Sequence, residues 1–171
     1  MSYLADTNIL LRWVQPDDPQ RAVALAAVES LIRSGDTILI TPQNVVEFWN
    51  AATRPRTSNG LGLTPQQADE EAHQLETLFP LAPDTPAIHP EWRRLVVEAG
   101  VSGVQVHDAR LAAAMRVHGI THLLTFNGRD FARFEGITAV HPRDVVHPTD
   151  ASHPMGAVQP TDVTTSENDE S

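Results

Sequence analysis

Short apolar runs alternate with longer segments of helical character along most of the chain. Four of these runs are typical of buried strands, at residues 2–5, 37–41, 120–126 and 137–140. Helical spacing, helix-start residues and stop glycines predict a short helix after Asn8 and further helices at 20–33, from Pro42, and at 64–79, 91–99 and 108–118. This alternation predicts an α/β fold with a central parallel sheet covered by helices on both faces.

The segments between these elements are less regular. Residues 54–63 are typical of a flexible loop, and 80–90 is a connector with four prolines. Residues 101–107 fit either a loop or a short strand, because Val104 and Val106 alternate with polar neighbours.

The last 25 residues differ in composition from the rest of the chain. From His147 there is no aromatic residue, leucine or isoleucine, and the end is acidic. Such a segment cannot bury enough apolar surface to offset the entropy of ordering. We therefore expect a folded domain at 1–146 and a disordered acidic tail at 147–171.

Composition and charge add little to this prediction of the fold. The chain has 171 residues, of which 41% are apolar and 20% charged, enough for one domain with a packed core. Its formal charge is −10, but six acids and no arginine lie from Asp144 onward, so residues 1–143 carry 16 acids and 12 arginines, or −4. The charge alone gives no support for binding nucleic acid.

Missing residue types exclude several kinds of chemistry. There is no cysteine, which excludes disulfides, thiolate metal sites and a cysteine nucleophile, and there is no lysine for a Schiff base or a phosphate-binding loop. We recognise no signal peptide, because Asp6 interrupts the first apolar run, and no apolar stretch of membrane-spanning length. The expectation is a cytoplasmic protein without a membrane partner.

Four carboxylates follow or adjoin the predicted strands. Asp6 comes directly after the first strand, Glu47 lies six residues after the second, and Asp130 lies four residues after the third. Asp108 begins the helix that leads into the third strand. Loops at the carboxyl ends of parallel strands meet in one crevice. If the four acids meet there, a divalent cation with oxygen ligands would offset their repulsion, and Mg²⁺ or Mn²⁺ fits such a set.

Each acid also has an ordinary structural explanation. Asp6 could be a helix N-cap, Asp108 is favoured by the helix dipole, and Glu47 could be an exposed helix residue. Asp130 could belong to a turn that starts at Asn127. His107 is a candidate base, although a lone histidine is more often structural, and the three tryptophans are more typical of a core than of a base-stacking platform.

The order of four segments adds a resemblance. Leu4-Ala5-Asp6-Thr7-Asn8, Glu47 on a following helix, His107-Asp108-Ala109-Arg110-Leu111-Ala112-Ala113-Ala114, and Leu124-Thr125-Phe126-Asn127-Gly128-Arg129-Asp130-Phe131 together resemble the PIN-domain nucleases. Within them, the chain is most similar to VapC-type ribonuclease toxins of toxin–antitoxin pairs. The resemblance covers about residues 2–145.

The resemblance implies a PIN-like α/β/α sandwich and a Mg²⁺- or Mn²⁺-dependent endoribonuclease site. Its acidic positions fall on Asp6, Glu47 and Asp108, as catalytic and metal-binding residues. The fourth role falls on Asp130, with Asn127 as an uncharged helper, because Asn127 stands where many members have an acid. The supporting hydroxyl and amide positions are Thr7, Asn8 and Thr125, which would orient the carboxylates.

The resemblance also implies an RNA substrate, an antitoxin protein as partner and a homodimer. Several arginines are candidates to hold the RNA backbone, namely Arg54, Arg56, Arg110, Arg129 and Arg133, although each could equally be an ordinary surface residue.

Two other functional classes are compatible with part of this pattern. A phosphoaspartyl enzyme or receiver domain also places acids at strand ends, but the first needs a second aspartate where this chain has Asn8, and both usually use a lysine. A non-catalytic PIN-like module that binds RNA or a partner is the stronger alternative. The retained acidic set argues against it, because an inactive domain gains nothing from a repulsive cluster.

Overall fold

A parallel four-stranded sheet forms the centre of the protein. The computed structural model describes residues 1–145, and the tail predicted at 147–171 lies outside them and stays a prediction. The strands are β1 (Ser2–Ala5), β2 (Thr37–Leu39), β3 (His122–Leu124) and β4 (Thr138–Val140), in the order β2-β1-β3-β4 with every neighbouring pair parallel. The predicted parallel α/β fold is confirmed.

Eight α-helices connect or follow the strands in the described part of the chain. They are α1 (Thr7–Val14), α2 (Arg21–Arg33), α3 (Pro42–Thr53), α4 (Pro65–Leu78), α5 (Ile88–Glu98), α6 (Val106–Val117), α7 (Gly128–Phe131) and α8 (Pro142–Val145). In residues 1–145, no helix is long and apolar enough to cross a membrane.

The sheet is covered on both faces because alternate strand residues point to opposite sides. Tyr3 and Ala5 of β1 pack with residues of α1 to α4, whereas Leu4 between them packs with α5 and α6. The buried side of α6 consists mostly of alanine, whose small side chain allows the helix to pack closely on its face of the sheet. The protein is therefore an α/β/α sandwich with one core on each side of the sheet.

Two helix starts show why these elements begin where they do. Thr41 caps α3 and forms a reciprocal capping box with Asn44, and Thr64 does the same for α4 with Gln67. Proline occupies the first turn of both helices, where its missing N–H group costs nothing. The predicted helix start at Thr64 and Pro65 is confirmed.

Three segments differ from their sequence interpretation. Residues 101–107 contain no strand: a short loop at 101–102 and a 3-10 turn at Gly103–Gln105 lead directly into α6. The loop at 54–63 contains another 3-10 turn and is fixed by backbone hydrogen bonds from Leu61 and Leu63 to the end of α3. The proline connector is shorter than expected, since α5 already begins at Ile88 and tolerates Pro90 in its first turn.

Three of the strands, β2, β3 and β4, are shorter than predicted, and the shortening of β2 and β3 shapes the functional edge. Ile40 leaves β2 to form a single bridge with Leu81, and the next residue is the cap of α3. β3 ends at Leu124, so that the side chain of Thr125 is released to polar neighbours. The carboxyl ends of β1 and β3 therefore lead directly into polar residues, and β2 does so after Ile40.

Candidate metal-dependent nuclease site

Asp6 lies at the carboxyl end of β1, in the N-cap position of α1, and its backbone N–H donates to Leu124 of β3. Its carboxylate does not cap the helix. Oδ2 instead accepts hydrogen bonds from Thr125 Oγ1 at 2.6 Å and Asn8 Nδ2 at 2.5 Å. Asn8 also donates to Thr125 Oγ1 at 3.0 Å. This small network fixes Asp6 between β1 and β3.

Glu47 projects from α3 and both of its carboxylate oxygens are hydrogen bonded. Oε2 accepts from Thr7 Oγ1 at 2.8 Å, and Oε1 accepts from Gln43 Nε2 at 2.8 Å. Thr7 is itself held by Asn44, whose Nδ2 donates to its hydroxyl at 3.2 Å. The carboxylate is therefore attached to α1 on one side and to its own helix on the other.

Asp108 lies in the first turn of α6 and is half-buried. The start of this helix is held by Trp92 of α5, whose indole N–H donates to the carbonyl of Val106 at 3.0 Å. His107, the candidate base, is exposed, and its carbonyl accepts a hydrogen bond from Gln43 at 2.9 Å. The 3-10 turn at Gly103–Gln105, which leads into α6, thus places Asp108 on the same edge of the sheet as the other acids.

Asp130 lies on the four-residue helix α7 and is exposed, as is Asn127 before it. Asn127 does not cap α7 with its side chain, but its backbone N–H donates to Thr125 Oγ1 at 2.9 Å. In residues 1–145, the structure shows no hydrogen bond to the carboxylate of Asp108 or of Asp130. Each is therefore held only by its helix.

The electrostatics indicate that the four acids lie within reach of one another. Burial raises the pKa of Asp108, and the charges of Asp130, Asp6 and Glu47 raise it further, to about 6, against a smaller lowering by Arg133. Burial also raises the pKa of Asp6, and the charge of Glu47 adds to this, although the hydrogen bond from Thr125 opposes it. Four interacting carboxylates at one edge of the sheet favour a cation among them.

The donor set fits a hard divalent cation by its chemistry. All four candidate ligands are carboxylates, and the neighbouring groups are hydroxyls and amides that orient them. In the described residues 1–145, no three histidine, aspartate or glutamate side chains are placed as a ready-made metal site. A bound ion would therefore require Asp108 and Asp130, whose carboxylates accept no hydrogen bond within this part of the chain, to adjust toward it.

Three of the predicted supporting residues donate hydrogen bonds to the predicted acidic residues. Thr7 donates to Glu47, whereas Asn8 and Thr125 donate to Asp6. Their role in orienting a catalytic site stays a prediction. The sequence interpretation missed Gln43 and Asn44, which hold Glu47 directly and through Thr7. Their only signal was their position in the first turn of α3, one helical turn before Glu47.

The candidate RNA-binding arginines have different surroundings. Arg110 is engaged by Asp84 and by Gln43, and Arg133 donates to Gln105 at 2.7 Å. Arg56 donates to the carbonyl of Leu61 in the loop after α3. Arg129 is exposed on α7, beside Asp130.

The family follows from a sequence comparison that agrees with this geometry. The family model for the PIN domain matches residues 3–137, a span that contains all four acids. The chain belongs to the PIN-domain family. Membership in this family supports a hydrolase that acts on nucleic acid. A comparison with curated protein sequences gives no significant match.

Solved structures of PIN-domain toxins share the fold at low sequence identity. VapBC2 from Rickettsia felis, bound to a promoter DNA fragment, has 15% identity and a TM-score of 0.64, with 82% of this chain and 98% of that chain covered. VapBC-1 from nontypeable Haemophilus influenzae has 14% identity and a TM-score of 0.60, with 84% and 99% covered. VapC20 from Mycobacterium tuberculosis, a sarcin-ricin loop cleaving toxin, has 18% identity and a TM-score of 0.56, with 76% and 93% covered.

Proposed function

We propose that this PIN-domain protein is a Mg²⁺- or Mn²⁺-dependent endoribonuclease and the toxin of a toxin–antitoxin pair. The observation that carries the proposal is the meeting of four carboxylates at one sheet edge, where burial and then the charges of the other three acids raise the pKa of Asp108 to about 6. A fold gains nothing from such repulsion, so a cation is the simplest reason to keep it. The fold shared with VapC toxins supports the same assignment.

In the proposed reaction, Asp6 and Asp108 hold the ion, and Asp130 contributes directly or through water. Such an ion, when bound, lowers the pKa of water and offsets the charge of the phosphate. Glu47, held at both oxygens, orients the attacking water or binds a second ion. Thr125 and Asn8 keep the Asp6 carboxylate in one orientation as charge develops on the phosphodiester.

The RNA backbone needs a cationic neighbour near this acidic edge. Arg129 is the best placed of the candidate arginines, because it is exposed and lies one residue from Asp130. Arg133 lies in the turn that follows α7, and its charge lowers the pKa of Asp108.

A cleavage assay tests the catalytic part of the proposal. Wild-type protein should cut a structured RNA pool in the presence of Mn²⁺ and lose this activity with a chelator. The Asp6→Asn variant should be inactive under both conditions, whereas Asp69→Asn, a matched change on the exposed surface of α4, should cleave like wild type. RNA binding without cleavage by the wild-type protein would instead favour the non-catalytic module.

The toxin role and the assembly need separate tests. We propose that the protein acts in the cytoplasm, binds an antitoxin and forms a homodimer, as the resemblance to VapC-type toxins implies. Expression of the wild type, but not of Asp6→Asn, should arrest growth, and co-expression of a small protein encoded beside it should relieve the arrest. Light scattering that shows a monomer at all micromolar concentrations would contradict the homodimer.

A further inference from the structure

The side-chain amide of Gln43 connects the two helices that carry Glu47 and Asp108. Its Nε2 donates to Glu47 Oε1 at 2.8 Å and to the carbonyl of His107 at 2.9 Å. Gln43 and Glu47 are one turn apart on α3, whereas His107 directly precedes Asp108 on α6. A single amide group therefore links one acidic residue to the helix that carries another.

The orientation of this amide is set by a second contact. Gln43 Oε1 accepts from Arg110 NH1 at 3.0 Å, and arginine can only donate. The carboxylate of Glu47 and the carbonyl of His107 can only accept, so the NH₂ group must face them. The Gln43 amide has one orientation that satisfies all three partners, and Arg110 selects it.

Arg110 is fixed in turn by Asp84. One of its guanidinium nitrogens, NH2, donates to both carboxylate oxygens of Asp84, at 2.9 and 3.0 Å. The contacts thus run without a break from Asp84 through Arg110 and Gln43 to Glu47. Asp84 and Arg110 lie on the surface at the outer end of this chain of contacts, and the nuclease site lies at its inner end.

We infer that Gln43 is a positioning residue for Glu47, and that Arg110 and Asp84 act on the site through Gln43 rather than by binding RNA. The inference rests on the proposed function only for its effect on cleavage. Outer contacts that orient a metal-binding group typically change metal affinity or activity by about 10- to 100-fold. The sequence interpretation of Arg110 as an RNA contact makes a different and separable prediction.

The first test is structural and needs neither metal nor RNA. The side-chain NH₂ resonances of Gln43 are followed by ¹⁵N-correlated NMR in the wild type, Arg110→Met and Asp84→Asn. Both substitutions should shift these resonances, the first more than the second. The matched control Arg94→Met removes an arginine that is also paired with carboxylates, on α5, and should leave them unchanged. Unchanged Gln43 resonances in Arg110→Met would overturn the inference.

The second test measures Mn²⁺ affinity by calorimetry in the absence of RNA. Gln43→Met should weaken binding about tenfold, and Arg110→Met by a smaller factor. Arg110→Lys, which retains one donor for Gln43, should restore part of the loss. Gln66→Met on the exposed surface of α4 is the control for the glutamine substitution. If wild type binds Mn²⁺ and both variants bind it equally well, the positioning role is wrong.

The third test separates positioning from RNA binding by kinetics. Gln43→Met and Arg110→Met should lower kcat with KM for RNA unchanged, and the double variant should be no worse than Gln43→Met alone. Additive losses, with a raised KM in Arg110→Met, would show that Arg110 binds RNA and would overturn the inference. A wild type that binds Mn²⁺ but cuts no RNA would refute the proposed function, while the first two tests would still decide the role of Gln43.

Discussion

The candidate site has two halves that are built in different ways. The hydrogen-bonded half consists of Asp6 and Glu47, whose oxygens accept from Thr7, Asn8, Thr125 and Gln43. The unbonded half consists of Asp108 and Asp130, which within residues 1–145 accept no hydrogen bond at their carboxylates. Both halves lie at the same sheet edge, yet within residues 1–145 only the first is held by hydrogen bonds to its carboxylates.

The difference indicates which side chains can respond to a ligand. Donors around Asp6 and Glu47 fix the orientation of both carboxylates, and the hydrogen bond from Thr125 opposes the rise that burial causes in the pKa of Asp6. No such donor opposes the rise at Asp108, where burial and the charge of three other acids raise the pKa to about 6. Hydrogen bonds thus orient one half of the site, and the carboxylates of the other half are those whose charge a cation would compensate under the proposed function.

The largest effect is expected from Asp108→Asn in the unbonded half. Loss of a direct metal ligand should lower the cleavage rate by about 10³-fold, because ion binding supplies several kcal/mol to the transition state. Cleavage by wild type, this variant and the surface control Asp69→Asn is compared at saturating Mn²⁺. A loss below tenfold would show that Asp108 is not a ligand.

A smaller loss is expected from Thr125→Val in the hydrogen-bonded half. The hydroxyl of this buried residue donates to Asp6 and accepts from Asn8 and from the backbone of Asn127. Removing it should slow cleavage by about 10- to 100-fold and destabilise the fold by about 1–3 kcal/mol. Urea unfolding and cleavage are measured beside Thr77→Val, which lacks only an exposed hydroxyl on α4. Equal behaviour of the two variants would contradict the positioning role.

The fourth acid can be assigned by exchanging charge between two positions. Asp130→Asn should slow cleavage by about tenfold, less than Asp108→Asn, since Asp130 is exposed and could act through water. Adding Asn127→Asp to this variant should restore part of the rate if position 127 faces the same ion. A wild-type rate for Asp130→Asn would remove Asp130 from the site.

The smallest expected effect is on stability against pH without metal. Since the folded-state pKa of Asp108 is raised to about 6, the fold takes up a proton between pH 7 and 5 that the unfolded chain does not. The free energy of unfolding should therefore rise by about 1 kcal/mol as the pH falls from 7 to 5, after allowance for solvent screening. Asp108→Asn should lack this part of the rise in urea titrations with chelator. If the wild type and Asp108→Asn showed the same pH dependence of stability, the raised pKa of Asp108 would be contradicted.

Much of the fold could be predicted from the sequence because its signals are local. Strand β1 followed by Asp6, the cap at Thr64 and the alanine-rich face of α6 are all encoded within a few residues. The strand predicted at 120–126 is too long because apolar Phe126 continues the pattern, whereas β3 ends at Leu124, the Thr125 hydroxyl bonds Asp6 and the Phe126 backbone N–H bonds Asn8. The parallel order then places the ends of β1 and β3 side by side.

The contacts that orient the acids could not be predicted in the same way. Gln43 bonds a residue 64 positions away and Arg110 reaches back 26 positions to Asp84. No periodicity records such pairs, and a polar residue in a first helical turn has an ordinary explanation in capping. Resemblance identified Thr7, Asn8 and Thr125, but it carried no signal for Gln43 or Asn44.

Under the proposed function, one divalent cation joins the two halves of the site. Crystals grown at neutral pH and soaked in Mn²⁺ would show it directly through the anomalous signal of manganese. We expect an anomalous peak within bonding distance of carboxylate oxygens of Asp6 and Asp108. A fully occupied manganese site that contacts neither residue would contradict it.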